Sequence, residues 1–327
     1  MPQPTSVSTK PSLRKVFIIM NPNAGAQSRK FHLGRFLLGI KKIQSSHKTK
    51  EALMAGIISV FESHHIQVSG TFTQSKGHAT ELAKRAVENG ADAVVAVGGD
   101  GTINEVINGM ANTKVMLGVI PYGTANVFGL SFNIPMDVEL ACLTIINATP
   151  MPIDLGRING TYFACMAGVG FDAFVIQKAD KTLKKLFGAL SYVVVAMWEA
   201  LRYRFYPILL TTDNDSSSIQ GYFLIISNTK YYGGNLIVAP DASPTDGQLD
   251  ACIFTGKGLL HMIWFGIQMK LGRVKKSKHV RVVKCSSIRI RKFGNHSIHA
   301  DAEYIGEAPA KITIAPKALV IAAPSNV

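Results

Sequence analysis

No apolar run in this chain is long enough to cross a bilayer. The longest, residues 186–198, covers thirteen positions and stops at Glu199, whereas a spanning helix needs about 20. Cysteine is also scarce. Cys142, Cys165, Cys252 and Cys285 stand far apart and none forms a Cys-x-x-Cys pair. That spacing excludes a zinc knuckle or a disulfide framework, and buried thiols in a reducing compartment are expected. No segment is both poor in apolar residues and rich in one charge, so disorder is expected only at the ends. Residues 1–15 are rich in Ser, Thr and Pro and lack the apolar core of a secretory leader. They read as a flexible tail on a cytoplasmic protein. Acidic residues are few: 21 Asp and Glu stand against 35 Lys and Arg, for a net charge of +14. Such a balance favours an anionic partner, whether nucleic acid, anionic lipid or a phosphorylated substrate. A basic stripe interleaved with aromatics is missing, so nucleic acid is not the expected one.

What is present is a chain of 327 residues, 47% hydrophobic, enough for two packed domains. In the first half, strand-like runs at residues 15–20, 66–73, 92–97 and 115–120 alternate with a helical stretch after residue 25 and helical spacing at 80–89 and 102–110. That alternation predicts a parallel sheet covered on both faces. After about Pro150 the texture changes. Short strand-like pieces at 162–166, 208–212, 222–227, 249–254, 280–283 and 287–291 are parted by Gly, Asn, Asp and Pro. This predicts an antiparallel sandwich, interrupted by helical stretches near 181–204 and 258–271. No internal repeat is visible.

The strongest chemical signal is Gly98-Gly99-Asp100-Gly101-Thr102-Ile103-Asn104-Glu105, which leaves a strand and opens a helix. Glycines let the backbone approach a phosphate, and the helix start offers free N–H groups. Asp100 and Glu105 add carboxylates where a nucleotide-bound metal would sit. A second loop, Pro121-Tyr122-Gly123-Thr124-Ala125-Asn126, also follows a strand. With residues 21–25, beginning at Asn21, three loops converge on one crevice, since ligands bind at the C-terminal ends of parallel strands. A fourth, from Thr73 to Ala79, also leaves a strand. Within it, His78 reads better as a helix-start residue than as a ligand. Near the end stand His299-Ala300-Asp301-Ala302-Glu303. Two acids two apart on a strand would share a face, and one could take a proton from a hydroxyl. Finally, Ser243-Pro244-Thr245-Asp246-Gly247-Gln248 is an Asp-Gly turn whose oxygens suit a hard cation.

Together these motifs resemble the diacylglycerol-kinase catalytic-domain family, the bacterial members above all, from Val16 to about Pro324. The Gly-Gly-Asp-Gly-Thr turn alone is shared with NAD kinases and phosphofructokinases; the set with Pro-x-Gly-Thr-Ala-Asn, Asp-Gly and Asp-x-Glu is far more specific. The resemblance implies an α/β N-terminal domain with a parallel sheet (NAD kinase/diacylglycerol kinase-like) over residues 16–149, and a C-terminal β-sandwich domain over 150–310. Residues 311–327 would return to the first domain, and the active site would lie between the two. It implies ATP contacts at Thr73, at Gly99, Asp100, Gly101, Thr102, Ile103, Asn104 and Glu105, and at Thr124, beside Asn21, Gly123 and Asn126. It implies structural Mg2+ on Asp246, with backbone carbonyls near Ser243 and Gln248. The proton acceptor would be Glu303, with Asp301 beside it and Asp100 as a third choice. The chain departs from the family at Ala302, where Gly is usual, and at Val127, where Asp is frequent.

The expected activity is transfer of phosphate from ATP to a hydroxyl of a membrane lipid such as diacylglycerol. The rivals are a sphingoid-base or other lipid kinase, an NAD kinase-like enzyme and a non-catalytic lipid-binding protein. Phosphoryl transfer needs mainly positioning and charge neutralisation. The substrate would sit in an anionic membrane surface, so peripheral docking is expected. Lys178, Lys181, Lys184, Lys185, Arg202 and Arg204 flank one apolar run, and Arg273, Lys275, Lys276, Lys278 and Arg281 follow another. Relatives of this kind also include homodimers.

Overall fold

A computed structural model of the protein describes residues 13–25, 49–178, 199, 202–215, 217–291, 294 and 296–324. The start of the helical stretch expected after residue 25, the apolar run 186–198 with Lys181, Lys184 and Lys185 before it, and residues 1–12 lie outside these.

The first strands are buried along most of their length: β1 (Lys15–Met20), β3 (Ala93–Gly98) and β4 (Met116–Pro121). Continuous apolar strands of this kind need cover on both faces. They pair in parallel with β2 (Gln67–Phe72) in the order β2-β1-β3-β4. One face is covered by α1 (Lys50–Glu62) and α5 (Val138–Asn147) through Leu53, Ile57, Phe61, Ala141 and Ile145. The other is covered by α2 (His78–Glu88) and α3 (Asp100–Met110) through Ala79, Ala83, Ile103, Val106 and Ile107. The starts of α1 and α5 are capped by side chains: Thr49 Oγ1 accepts the Ala52 amide and Asp137 Oδ1 the Leu140 amide. A short helix, α4 (Val127–Ser131), lies between β4 and α5.

Beyond Ala148 the strands run antiparallel. One layer is a six-stranded sheet of β14 (Val280–Cys285), β13 (Leu249–Phe254), β10 (Phe223–Ser227), β7 (Met166–Gly170), β16 (Ser297–Ala300) and β17 (Glu303–Glu307), in that order. The facing layer holds β5 (Thr149–Ile158), β6 (Thr161–Phe163), β8 (Ile208–Thr212), β9 (Ile219–Gly221), β15 (Ser287–Ile290) and the start of β18 (Ala310–Ala323). Ile158, Val169, Leu210, Leu224, Ile226, Ile253, Ile288, Ile298 and Ile312 fill the space between the layers. The helix α6 (Phe171–Lys178) follows β7, a small hairpin joins β11 (Tyr231–Tyr232) to β12 (Leu236–Ile237), and α7 (Leu259–Lys270) follows β13. Residues 162–166, read from sequence as one strand, are split between β6 and β7. The amides of Ala164 and Cys165 are committed to a side chain, Asp301, instead of a ladder.

The closing strand serves both halves of the chain. Ile312 and Thr313 of β18 pair with β15, whereas Val320 and Ile321 pair in parallel with β4. The switch is a bulge between Ala315 and Leu319, with Lys317 at φ 51°. One ten-stranded sheet therefore extends from the parallel half into the facing layer of the second. All four cysteines are buried and unpaired. No helix among the described residues is long and apolar enough to cross a membrane.

Candidate active site

Four loops leave the C-terminal ends of β1, β2, β3 and β4, and the structure ties them together. Asn21 Nδ2 donates to Thr102 Oγ1 at 3.1 Å, and the Thr73 amide to the Met20 carbonyl at 2.9 Å. The two glycine loops meet backbone to backbone: a Cβ on Gly123 would fall 2.4 Å from the Cα of Gly99. Any side chain there would force them apart. Asn126 closes its own loop, with Oδ1 accepting the Gly123 amide at 2.8 Å and Nδ2 donating back to the Gly123 carbonyl. Thr124 is exposed at its tip. The Tyr122 ring abuts Gly25 and lies 4.5 Å from the Lys50 ammonium, which donates to Ala24 O. The first turn of α3, with the amides of Gly101 and Thr102, opens into this crevice, where helix-start N–H groups suit an anion.

The individual residues of the glycine motif divide into those that face the crevice and those that hold it. Ile103 is in the core, and its amide donates to Gly99 O at 3.1 Å, so neither its side chain nor its N–H is open to a ligand. Asn104 is buried and points to the second domain, reaching Tyr162 O and Asp301 Oδ2. Glu105 Oε2 accepts the Ala79 amide at 3.2 Å, fastening the start of α2 to α3. Asp100 Oδ1 accepts the Phe128 amide at 3.0 Å, at the start of α4. Burial pushes its carboxyl above the usual range, against the pull of the Phe128, Val127 and Asn126 backbone donors. Val127 itself is buried in the core beneath. His78 opens α2 as expected, its Nδ1 taking the Gln74 amide.

The two late acids do not share a strand face. Asp301 and Ala302 form the two-residue turn between β16 and β17, at φ 45° and 63°, and Ala300 pairs with Glu303. A tight hairpin of this kind needs positive φ at both central residues, so Ala302 adopts the conformation that glycine takes more readily. The turn sends its acids in different directions. Asp301 is buried and accepts four donors: Asn104 Nδ2 at 2.9 Å and the amides of Ala164, Cys165 and Met166 at 2.7, 3.0 and 2.9 Å. Burial raises its pKa, and those donors pull it back down. Its lone pairs are spent on the fold. Glu303 instead faces the crevice: Oε1 lies 3.4 Å from where a Cβ on Gly101 would be, and Oε2 pairs with Lys76 Nζ at 2.7 Å. Among the three candidate carboxylates, it is the one not engaged by backbone amides.

The Asp246 turn is neutralised from within. Asp246 Oδ2 pairs with Lys284 Nζ at 2.7 Å and Oδ1 accepts the Gln248 amide. The same ammonium reaches Asp250 Oδ2 at 3.0 Å. Burial alone would lower the Lys284 pKa, and the two carboxylates override it and raise it. Ser243 Oγ is turned to Thr245 Oγ1 at 3.1 Å. No group of three or more His, Cys, Asp or Glu converges on a point among the described residues. At the Mg2+ position expected on Asp246, Ser243 and Gln248, the Asp246 carboxylate is paired with a lysine, while Asp250 Oδ1 beside it is buried with no partner among the described residues.

Several partners were not visible in sequence. Lys76 was part of a noted loop but nothing local linked it to Glu303, 227 positions on. Asp154, buried, accepts the Gly247 amide and the Lys317 amide, both at 2.7 Å, and so ties the Asp246 turn to the bend in β18. His299 Nδ1 accepts the Ala302 amide at 3.2 Å while Nε2 donates to Asp172 Oδ2 at 2.6 Å; Tyr232 donates to the other oxygen of Asp172. Those partners set the tautomer and clamp the turn that carries Glu303. The only local hint was His299 standing three residues before Ala302.

Comparison with known proteins bears on the family and the fold. The diacylglycerol kinase catalytic domain model matches residues 37–158, and the YegS C-terminal NAD kinase beta sandwich-like domain model matches residues 165–323. The chain is 31% identical over 304 residues to a diacylglycerol kinase of Bacillus subtilis (strain 168), covering 91% of this chain and 92% of that one. It is 30% identical over 323 residues to a diacylglycerol kinase of Staphylococcus aureus (strain MRSA252), covering 96% and 94%. A solved structure of a diacylglycerol kinase from Bacillus anthracis str. Sterne superposes with a TM-score of 0.70 at 19% identity, over 96% of this chain and 98% of that one, a likeness of fold. By sequence over nearly its whole length, the chain belongs to the diacylglycerol kinase catalytic-domain family of lipid kinases.

Proposed function

We propose that the protein phosphorylates the free hydroxyl of diacylglycerol, using ATP, to give phosphatidic acid. The observation that carries this reading is the Glu303 carboxylate, facing Gly101 at the start of α3 and paired with Lys76. The loops at Asn21, Thr73, Gly99 to Thr102 and Gly123 to Asn126 hold the nucleotide. The N–H groups at the start of α3 meet the phosphates, and Lys76 neutralises charge on the transferred group. Mg2+ bound with ATP would supply charge neutralisation at the phosphates. Glu303 accepts the proton as the lipid oxygen forms its bond to the γ-phosphorus, and the bond from that phosphorus to the bridging oxygen breaks, releasing ADP. Asp301 and Asp100 take no part in proton transfer; they hold the turn and the loop in register.

The test incubates purified protein with γ-labelled ATP, Mg2+ and diacylglycerol, a sphingoid base or ceramide in mixed micelles, with NAD as a soluble control. Label on diacylglycerol is expected, with Glu303→Gln lowering kcat by about 10²- to 10⁴-fold while ATP still binds. Label only on another lipid moves the substrate, label only on NAD removes the lipid reading, and full activity of Glu303→Gln removes its role as proton acceptor.

A further inference from the structure

The six-stranded sheet is covered on its outer side by α7, and this helix is apolar on two faces. Its inner face is fixed by Phe265, whose ring packs 5.6 Å from Phe223 and 4.7 Å from Phe254 on β10 and β13. Its outer face carries Leu260, Ile263, Trp264, Ile267 and Leu271, spaced as one helical stripe. These five stand in solvent at 81, 45, 47, 46 and 56% exposure. Large apolar side chains grouped in this way mark a surface that meets something.

The charge around the stripe says what. Lys257, Lys270, Arg273, Lys276 and Lys278 are exposed at its two ends, and Lys275 among them is paired with Asp241. From residue 251 to residue 300 there is no aspartate or glutamate at all. A second copy docked on this face would bring two such basic rims together with no carboxylate from that stretch to pair them. An anionic lipid surface supplies the missing charge at the rim and a hydrocarbon layer for the stripe. We propose that α7 lies in the interface of an anionic membrane, with Leu260, Ile263, Trp264, Ile267 and Leu271 inserted and the basic side chains at the phosphate level. This rests on the lipid-kinase reading and adds the surface that delivers the substrate. The same sheet that α7 covers carries Glu303 on β17 at its other end, so one rigid layer joins the docking face to the acceptor carboxylate.

Trp264 makes the proposal measurable. The chain has two tryptophans, and Trp198→Phe leaves Trp264 as the sole reporter. Its emission is expected to shift to the blue with phosphatidylglycerol vesicles and not with phosphatidylcholine vesicles, and the shift is expected to fade as salt rises. Before vesicles are added, iodide is expected to quench it freely. The double variant Leu260→Glu, Ile267→Glu is expected to lose at least about tenfold in vesicle binding and in phosphorylation of vesicle-borne diacylglycerol. With an unchanged melting temperature, it is expected to keep its rate on a short-chain, water-dispersed diacylglycerol. Trp264 already shielded from iodide would overturn the proposal, the cover being residues 186–198 or a second copy, which sedimentation separates. Equal binding to both vesicle types would overturn it as well. Vesicle binding without phosphorylation of any lipid leaves the docking face and removes the kinase reading; phosphorylation insensitive to the double variant does the reverse.

Discussion

The hairpin turn at residues 301–303 and the Asp-Gly turn at residues 246–250 each carry two carboxylates, and the fold uses them differently. In the hairpin, one acid is consumed by the backbone and the other is released into the crevice. Asp301 takes four donors and sits at 7% exposure, and Glu303 meets only Lys76 among the described residues. In the Asp-Gly turn both acids converge on a single ammonium, Lys284. A carboxylate becomes a candidate for chemistry or metal binding only where its lone pairs are left over. The number of acids in a turn does not decide that; the neighbours that reach them do.

Three substitutions sharpen the contrast. The largest effect is expected at the consumed acid of the hairpin. Asp301→Ala leaves three buried backbone amides without acceptors and removes one of the two acceptors of Asn104 Nδ2, and is expected to cost about 3 kcal/mol or more of stability, read from the urea midpoint. A stable variant with impaired chemistry alone would reverse the roles assigned to the two acids. Next is Lys284→Ala, which leaves Asp250 buried and unpaired beside Asp246. Its cost is expected at about 2 kcal/mol, reduced from a fully buried pair because the ammonium is partly exposed. Chelators are expected to leave the melting temperature of the unaltered protein in place, and added Mg2+ or Ca2+ to raise that of Lys284→Ala. A chelator-sensitive melting temperature in the unaltered protein would show a resident metal in that turn. The smallest is His299→Ala, which frees the Ala302 amide and loosens the Glu303 turn. It is expected to lower kcat about tenfold with the KM for ATP unchanged. His299→Asn, whose Oδ1 can take the place of Nδ1, is expected to recover much of that loss, which a merely destabilised hairpin would not do.

Much of the fold was legible. β1, β3, β4, β8 and β13 fall within a residue of the runs read from sequence, and α7 within a residue of its predicted bounds. α1 falls in the interval between residue 25 and the strand at 66, where a helical stretch was expected without bounds. β5 was not foreseen: it begins Thr149-Pro150-Met151-Pro152, where prolines argue against a strand. It survives there because β18 runs alongside all its length. Of the candidate site, the glycine loops were read from type and spacing, and Glu303 from the family likeness. The sharing of a face by Asp301 and Glu303 was not found, because a strand was assumed where a left-handed turn stands.

Hydrophobic period and glycine spacing act over a few residues, so strand, turn and helix start were written locally, along with the family likeness those motifs carry. Partnership is different. Lys76 with Glu303, Lys284 with Asp246, Asp154 with Lys317 and Asn104 with Asp301 join positions far apart in the chain. Each depends on which backbone donors and cations the packed sheets bring within about 3 Å, and the strength of such pairs falls off too steeply with distance and exposure to be read from order along the chain.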